Sequence, residues 1–181
     1  MRPEVTSRQH GPAPRLTRRR AITLGAGAAI GLAFAGLWWS QRASTPQTAP
    51  FSLMTTQEAY DAAKAGDIIL VDIRTPEEWR ETGIGEGAIA LDMRSDDFVK
   101  KLVALRVANP DTPIALMCRT GNRSQFATSA LAGQGFPGLV DVQGGMVGSP
   151  KGKGWLENGL PVYAGTPENV AARLAEVLPA Q

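Results

Sequence analysis

The chain of 181 residues holds one cysteine and one histidine. A single cysteine excludes an intramolecular disulfide, and one histidine without companions excludes a Cys/His metal cluster of ligand spacing. That histidine is His10, so nothing after the first fifty residues offers the imidazole that usually activates a serine or cysteine nucleophile. Positive charge is also scarce beyond residue 50, where twelve basic residues face sixteen acidic ones, whereas the first fifty residues carry seven arginines and one acid. The overall formal charge of +2 therefore belongs to the N-terminal tail. A domain with an excess of acid and no basic stripe interleaved with aromatics has no electrostatic footprint for nucleic acid. No internal repeat and no long low-complexity tract is present.

What is present falls into five stretches. Residues 1–20 are basic, with Arg15, Arg18, Arg19 and Arg20 crowding the start of an uncharged run over residues 21–39. As a helix, those nineteen residues would reach roughly 28 Å, close to a bilayer core of about 30 Å. The arginines lead and only Arg42 follows soon after, so the positive-inside rule predicts a cytoplasmic N-terminus with the domain across the membrane. Trp38 and Trp39 fall at the far interface. "TRRRAIT" resembles the twin-arginine export signal; small residues at −1 such as Ala43 and Ala49 are paired with Gln41 and Gln47 at −3, which leaves both a cleaved signal and a retained anchor open. Residues 40–50, with "STPQTAP", read as a linker. The folded unit is expected over 51–165, with a terminal helix over 166–181.

Within that unit, Thr55 and Glu58 form a capping box for a helix reaching Ala65, with Gly66 as its stop. "DIILVDI" is a continuous apolar run suited to a strand buried on both faces. Thr75, Pro76 and Glu78 open a short helix, and "GAIAL" is another strand. Ser95 is expected to cap a helix whose apolar face carries Phe98, Leu102, Val103 and Leu105, ended by Asn109 and Pro110. "TPIALMC" is a second buried strand, a helix starts at Ser124 and closes at Gly133 or Gly135, and "GLVDV" is the last strand. Thr166 and Pro167 open the terminal helix, with Val170, Leu174, Val177 and Leu178 on one side. Strands alternating with helices predict an α/β domain with a mainly parallel sheet.

Cys118 stands at the carboxyl end of a predicted strand, where open α/β sheets gather ligands, and "RTGNR" leads straight into a helix. Backbone amides of such a loop converge on one point, and a helix N-terminus adds about half a positive charge there. Helix N-termini and neighbouring arginines favour thiolate over thiol, so Cys118 is expected to act as an anionic nucleophile without histidine. Gly121 suits a backbone that needs positive φ, Asn122 tolerates unusual angles, and Ser124 is expected as the N-cap. Arg119 is expected at the pocket mouth to attract anions, and Arg123 at the rim or folded back to brace the loop, which Thr120 completes. By residue type alone a lone cysteine is most often a small buried hydrophobe. Five polar or flexible residues after it at a strand-to-helix junction weigh against that reading.

At these residues the chain resembles the rhodanese family of single-domain sulfurtransferases. "CRTGNRS" matches the family's six-residue loop from Cys118 to Arg123, and "VDIRTPEEW" resembles its Asp-x-Arg segment. "GIGEGAIAL" resembles its Gly-His-Ile-Pro-Gly-Ala-Ile segment, and "VQGGMVGSPKGKGWLENGLPV" its closing Gly-Gly, Trp and Gly-Leu-Pro pattern. The resemblance implies a five-stranded parallel sheet flanked by helices, and a persulfide carried on Cys118 with no other cofactor. It implies that loop amides from Arg119 to Ser124 stabilise that persulfide, and that Asp72 and Arg74 brace the sheet. The implied donor is a small anion such as thiosulfate, and the acceptor a thiol, cyanide or a protein. Where the family often has His-Ile-Pro, this chain has Ile84, Gly85 and Glu86, and "SPKGKG" lengthens the closing loop and supplies Lys151 and Lys153.

Two rivals accompany that expectation. A cysteine phosphatase or arsenate reductase uses the same loop parts but five residues between Cys and Arg, whereas four separate Cys118 from Arg123. A non-catalytic rhodanese-like carrier or binding module at the membrane would need the loop without turnover. The favoured expectation is a sulfurtransferase facing the periplasm from the bacterial inner membrane, or exported there.

Overall fold

A computed structural model describes residues 50–178. The basic segment, the apolar run over 21–39 and nearly all of the expected linker lie outside the described residues. Among the described residues no helix is long and apolar enough to cross a membrane.

Seven strands and five helices follow in the order β1 (Ser52–Met54), α1 (Thr56–Ala65), β2 (Ile69–Asp72), α2 (Pro76–Thr82), β3 (Ile84–Gly85), β4 (Ala88–Ala90), α3 (Phe98–Ala108), β5 (Ile114–Met117), α4 (Asn122–Gly133), β6 (Leu139–Val142), β7 (Val162–Tyr163) and α5 (Pro167–Val177). Five strands form one parallel sheet in the order β1-β6-β5-β2-β4. The three middle strands are buried along their whole length, which is why, apart from Asp72 and Asp141, their sequences run apolar without alternation. Side chains still alternate between faces. Leu70, Ala115, Met117, Val140 and Val142 join one core with Trp79 and Trp155, while Ile69, Val71, Ile114, Leu116 and Leu139 join the other with Leu102, Leu105 and Ala127.

The capping boxes of α1 and α2 form as expected, with Thr55 and Thr75 accepting from the Glu58 and Glu78 amides. Three expectations fail on local detail. The helix α3 starts at Phe98 with Asp97 as N-cap; Ser95 instead points its hydroxyl at the Asp97 carboxylate. Val103 is 46% exposed, because its position on α3 turns it away from the stripe carrying Leu102 and Leu105. The strands β1, β3 and β7 were not expected. β1 has three residues with Leu53 exposed, and the β3–β7 pair is two residues long and antiparallel, so neither carries an apolar period to read.

Next to β2, Arg74 and Asp72 make a fully buried ion pair. Arg74 Nη2 and Nε donate to the Asp72 carboxylate at 2.6 and 2.9 Å, and the guanidinium goes on to Thr82 Oγ1 and the Gly83 carbonyl at 2.7 Å each. The pair thus fastens the end of α2 to the end of β2. Trp155, also fully buried, donates its indole N–H to the Pro161 carbonyl at 2.8 Å and packs edge-on to Tyr60. Removing one partner of a buried pair strands the other charge, at a cost of about 3–5 kcal/mol. Arg74→Ala is expected to lower unfolding stability by about that amount in urea titrations; a loss within the ordinary surface range, about 0.5 kcal/mol, would overturn the bracing role.

Candidate active site

β5 ends at Met117, and Cys118 follows as the first residue past the sheet. Its side chain is fully buried and belongs to the same apolar cluster as Leu116 and Ile73. The chain then turns through Gly121, whose φ of +83° is the left-handed region that a side chain rarely tolerates. That turn aims the Gly121 amide back at the sulfur, and it donates to Cys118 Sγ at 3.2 Å. Because α4 begins at Asn122, its positive end faces the same place. Burial and a directed amide therefore coexist at Cys118. Gly121, not Ser124, is the N-cap: the helix starts two residues earlier than expected, and Ser124 sits inside its first turn, buried.

The segment after β6 forms the wall. Gly144 and Gly145 both take positive φ, and a side chain at Gly145 would collide with the Cys118 carbonyl. Their closeness lets Met146 and Val147 donate backbone N–H groups to the Cys118 and Arg119 carbonyls at 2.8 and 2.9 Å. Lys151, in the lengthened turn, donates to Gln125 Oε1 at 2.8 Å and to the Gly121 carbonyl at 3.3 Å, so it lies across the cysteine loop. Lys153 contributes its backbone carbonyl, which accepts from Thr56 Oγ1 at 3.1 Å.

Both loop arginines turn to α2. Arg123 donates to Glu78 Oε1 at 2.6 Å, and Arg119 donates to Glu81 Oε2 at 3.0 Å. Glu78 also accepts the Thr75 amide at 3.0 Å, so one carboxylate both caps α2 and braces the end of the loop. Burial works to raise the Glu78 carboxyl, but the Arg123 hydrogen bond, the Thr75 amide and the charges of Arg123 and Arg74 outweigh it and hold it below its usual range. The Glu78 hydrogen bond in turn holds the Arg123 guanidinium above its ordinary value, against burial. Thr120 is half-buried in the loop and Asn122 is the first residue of α4, while Asp72 and Arg74 contact α2 and its end rather than the loop itself.

Sequence reasoning missed Asp141. It lies in β6 opposite Leu116 of β5, on the face that α4 covers, and it is buried. Asp141 Oδ1, Ser124 Oγ and Thr128 Oγ1 are all buried without a hydrogen-bond partner. Burial pushes the Asp141 carboxyl up; the nearby Ser124 hydroxyl and the Lys151 charge draw it partway back. An acid in the middle of "LVDV" was the available signal.

Comparison with known proteins gives the family. The sequence profile of the Rhodanese-like domain matches residues 55–149. The chain is 33% identical over 98 residues to an uncharacterized protein, RP600, of Rickettsia prowazekii, spanning 51% of this chain and 80% of that one. It is 32% identical over 104 residues to a sulfurtransferase of Allochromatium vinosum, spanning 56% and 84%. It is 34% identical over 89 residues to the thiosulfate sulfurtransferase GlpE of Pseudomonas syringae, spanning 49% and 77%. With its profile match covering more than half its length, the chain belongs to the rhodanese-like family, and sulfur-transferring proteins are among its relatives.

Asp141 gives a test of the buried chemistry. A carboxyl raised on folding is neutral in both states at low pH, and its ionisation destabilises the fold as pH rises from about 4 through the raised value. Asp141→Asn is therefore expected to be more stable than the parent at pH 7, with the difference closing toward pH 4. Equal urea midpoints for the two proteins at pH 7 would show that the carboxylate is not strained by its burial.

Proposed function

We propose that the domain is a sulfurtransferase in which Cys118 accepts a sulfane sulfur and hands it on. The observation that carries this reading is the Gly121 amide directed at Cys118 Sγ at the head of α4. A donor N–H and the positive end of a helix stabilise the negative charge of a persulfide carried at that position. Membership of the rhodanese-like family and relatives named as sulfurtransferases support it.

The reaction divides into two halves. The Cys118 thiolate attacks the outer sulfur of thiosulfate; the S–S bond of the donor breaks, its electron pair leaves with sulfite, and an anionic persulfide remains on Cys118. A thiol, cyanide or protein acceptor then takes the outer sulfur and regenerates the thiolate. No metal or bound cofactor enters either half. Because Cys118 is fully buried at rest, loading includes a local opening of the cover that Lys151 lays across the loop. In this reading the backbone amides from Arg119 through Thr120, Gly121, Asn122 and Arg123 to Ser124 stabilise the persulfide, and Asp72 and Arg74 brace the sheet beside them.

We infer further that residues 21–39 carry the domain to the far side of a bacterial inner membrane, as an anchor or as an export signal. The support is the cluster of four arginines ahead of an uncharged stretch long enough to span. Cell fractionation tests the location, and recovery of the protein in the cytosol would overturn it.

The full-length chain treated with thiosulfate is expected to gain about 32 Da on Cys118, one persulfide sulfur, and to lose it on addition of cyanide. Cys118→Ser is expected to show neither the gain nor thiocyanate production. A serine variant with parental turnover would end the proposal.

A further inference from the structure

Three cations stand around the cysteine loop, and their partners differ in kind. Lys151 is held by two neutral acceptors, the Gly121 carbonyl and Gln125 Oε1. Arg123 is held by Glu78, whose side chain is 16% exposed and whose other oxygen caps α2 through the Thr75 amide. The helix start thus fixes the carboxylate that Arg123 meets. Arg119 is different. Its near partner is Glu81 at 3.0 Å, with the Glu78 carboxylate a more distant second at 4.0 Å, and the Arg119 and Glu81 side chains face water, 39% and 60% exposed.

Among the described residues, the Glu81 carboxylate makes no other hydrogen bond and no other ion pair. The start of α2 is already satisfied by the Glu78 capping box, so the helix does not need Glu81. An exposed pair of this kind adds little to the stability of a fold. Its consequence lies elsewhere: it puts a carboxylate on the arginine that follows Cys118 directly. An anionic donor must compete with Glu81 for Arg119, and it meets the repulsion of Glu81 in proportion to its own charge.

We propose that Glu81 is a specificity-determining residue, which biases the site toward sulfane donors of one negative charge, such as thiosulfonates and organic persulfides, and away from dianionic thiosulfate. This rests on the sulfurtransferase reading above. With a thiosulfonate, the Cys118 thiolate attacks the terminal sulfur and forms the new S–S bond. The bond between that sulfur and the sulfonyl sulfur breaks, and its electron pair leaves with the sulfinate. The negative charge stays on the outer persulfide sulfur, and no proton, oxidant or reductant is required.

The test compares thiosulfate with methanethiosulfonate, which carries one charge less, as donors to the full-length chain with cyanide as acceptor. Glu81→Gln is expected to lower KM for thiosulfate about 3- to 10-fold, as one unit charge acting on a dianion through water predicts, with a smaller change for methanethiosulfonate and with kcat unchanged. The shift in the ratio of kcat/KM between the donors is expected to shrink as ionic strength rises. Glu77→Gln is the control, since Glu77 lies on the same helix but pairs with Arg80 and Arg94 instead of the loop. A ratio that Glu81→Gln leaves unchanged, or that Glu77→Gln shifts equally, overturns the role of Glu81 while leaving sulfur transfer intact. No loading of Cys118 from either donor in the parent chain overturns both.

Discussion

One backbone N–H, that of Gly121, is turned onto the sulfur of Cys118, and the arrangement around it follows from that turn. The turn needs a left-handed residue, and glycine supplies it. It also needs space, because the Gly121 Cα side faces the Gly144 backbone closely enough that an added Cβ would stand 3.2 Å from the Gly144 amide nitrogen. Glycine at 144 and 145 lets the second strand end approach, and the Met146 and Val147 amides then satisfy the Cys118 and Arg119 carbonyls. A buried loop with unpaired carbonyls would be costly. Here the same glycines that permit the approach also complete the hydrogen bonding.

The helix α2 is the second organiser. Its N-terminal box uses Glu78, its C-terminal end is held by Arg74 through Thr82 and Gly83, and its acids hold both loop arginines. Arg74 is anchored on Asp72 of β2, so the sheet, α2 and the cysteine loop form one mechanical unit. The electrostatics follow the same grading. The Asp72–Arg74 pair is fully buried, the half-buried Glu78–Arg123 pair shifts both partners toward their charged forms, and the Glu81–Arg119 pair is open to water.

Much of the fold was legible because its signals are local. Capping boxes at Thr55 and Thr75, the left-handed stop at Gly66, and the mainly apolar runs of β2, β5 and β6 each declare themselves within a few residues. The misses share a cause. Ser95 and Ser124 both look like caps, yet the helices start after Asp97 and Gly121, neither of which makes a side-chain cap bond that a sequence pattern could signal. The strands β1, β3 and β7 exist only because a partner strand lies beside them, and so short a segment has no period of its own.

The amino-acid order by itself determined the alternation of elements, the placing of one thiol at a strand end, and a glycine where the chain had to turn back. These depend on steric and periodic properties of residues close in the chain. Only the tertiary structure decided which charges meet: that Arg119 and Arg123 turn to an acidic helix some forty residues earlier, that Lys151 crosses the loop, and that Asp141 is buried beside Ser124. Charge pairing and desolvation depend on distance through space, and no spacing along the chain encodes that until the sheet has brought its strand ends together.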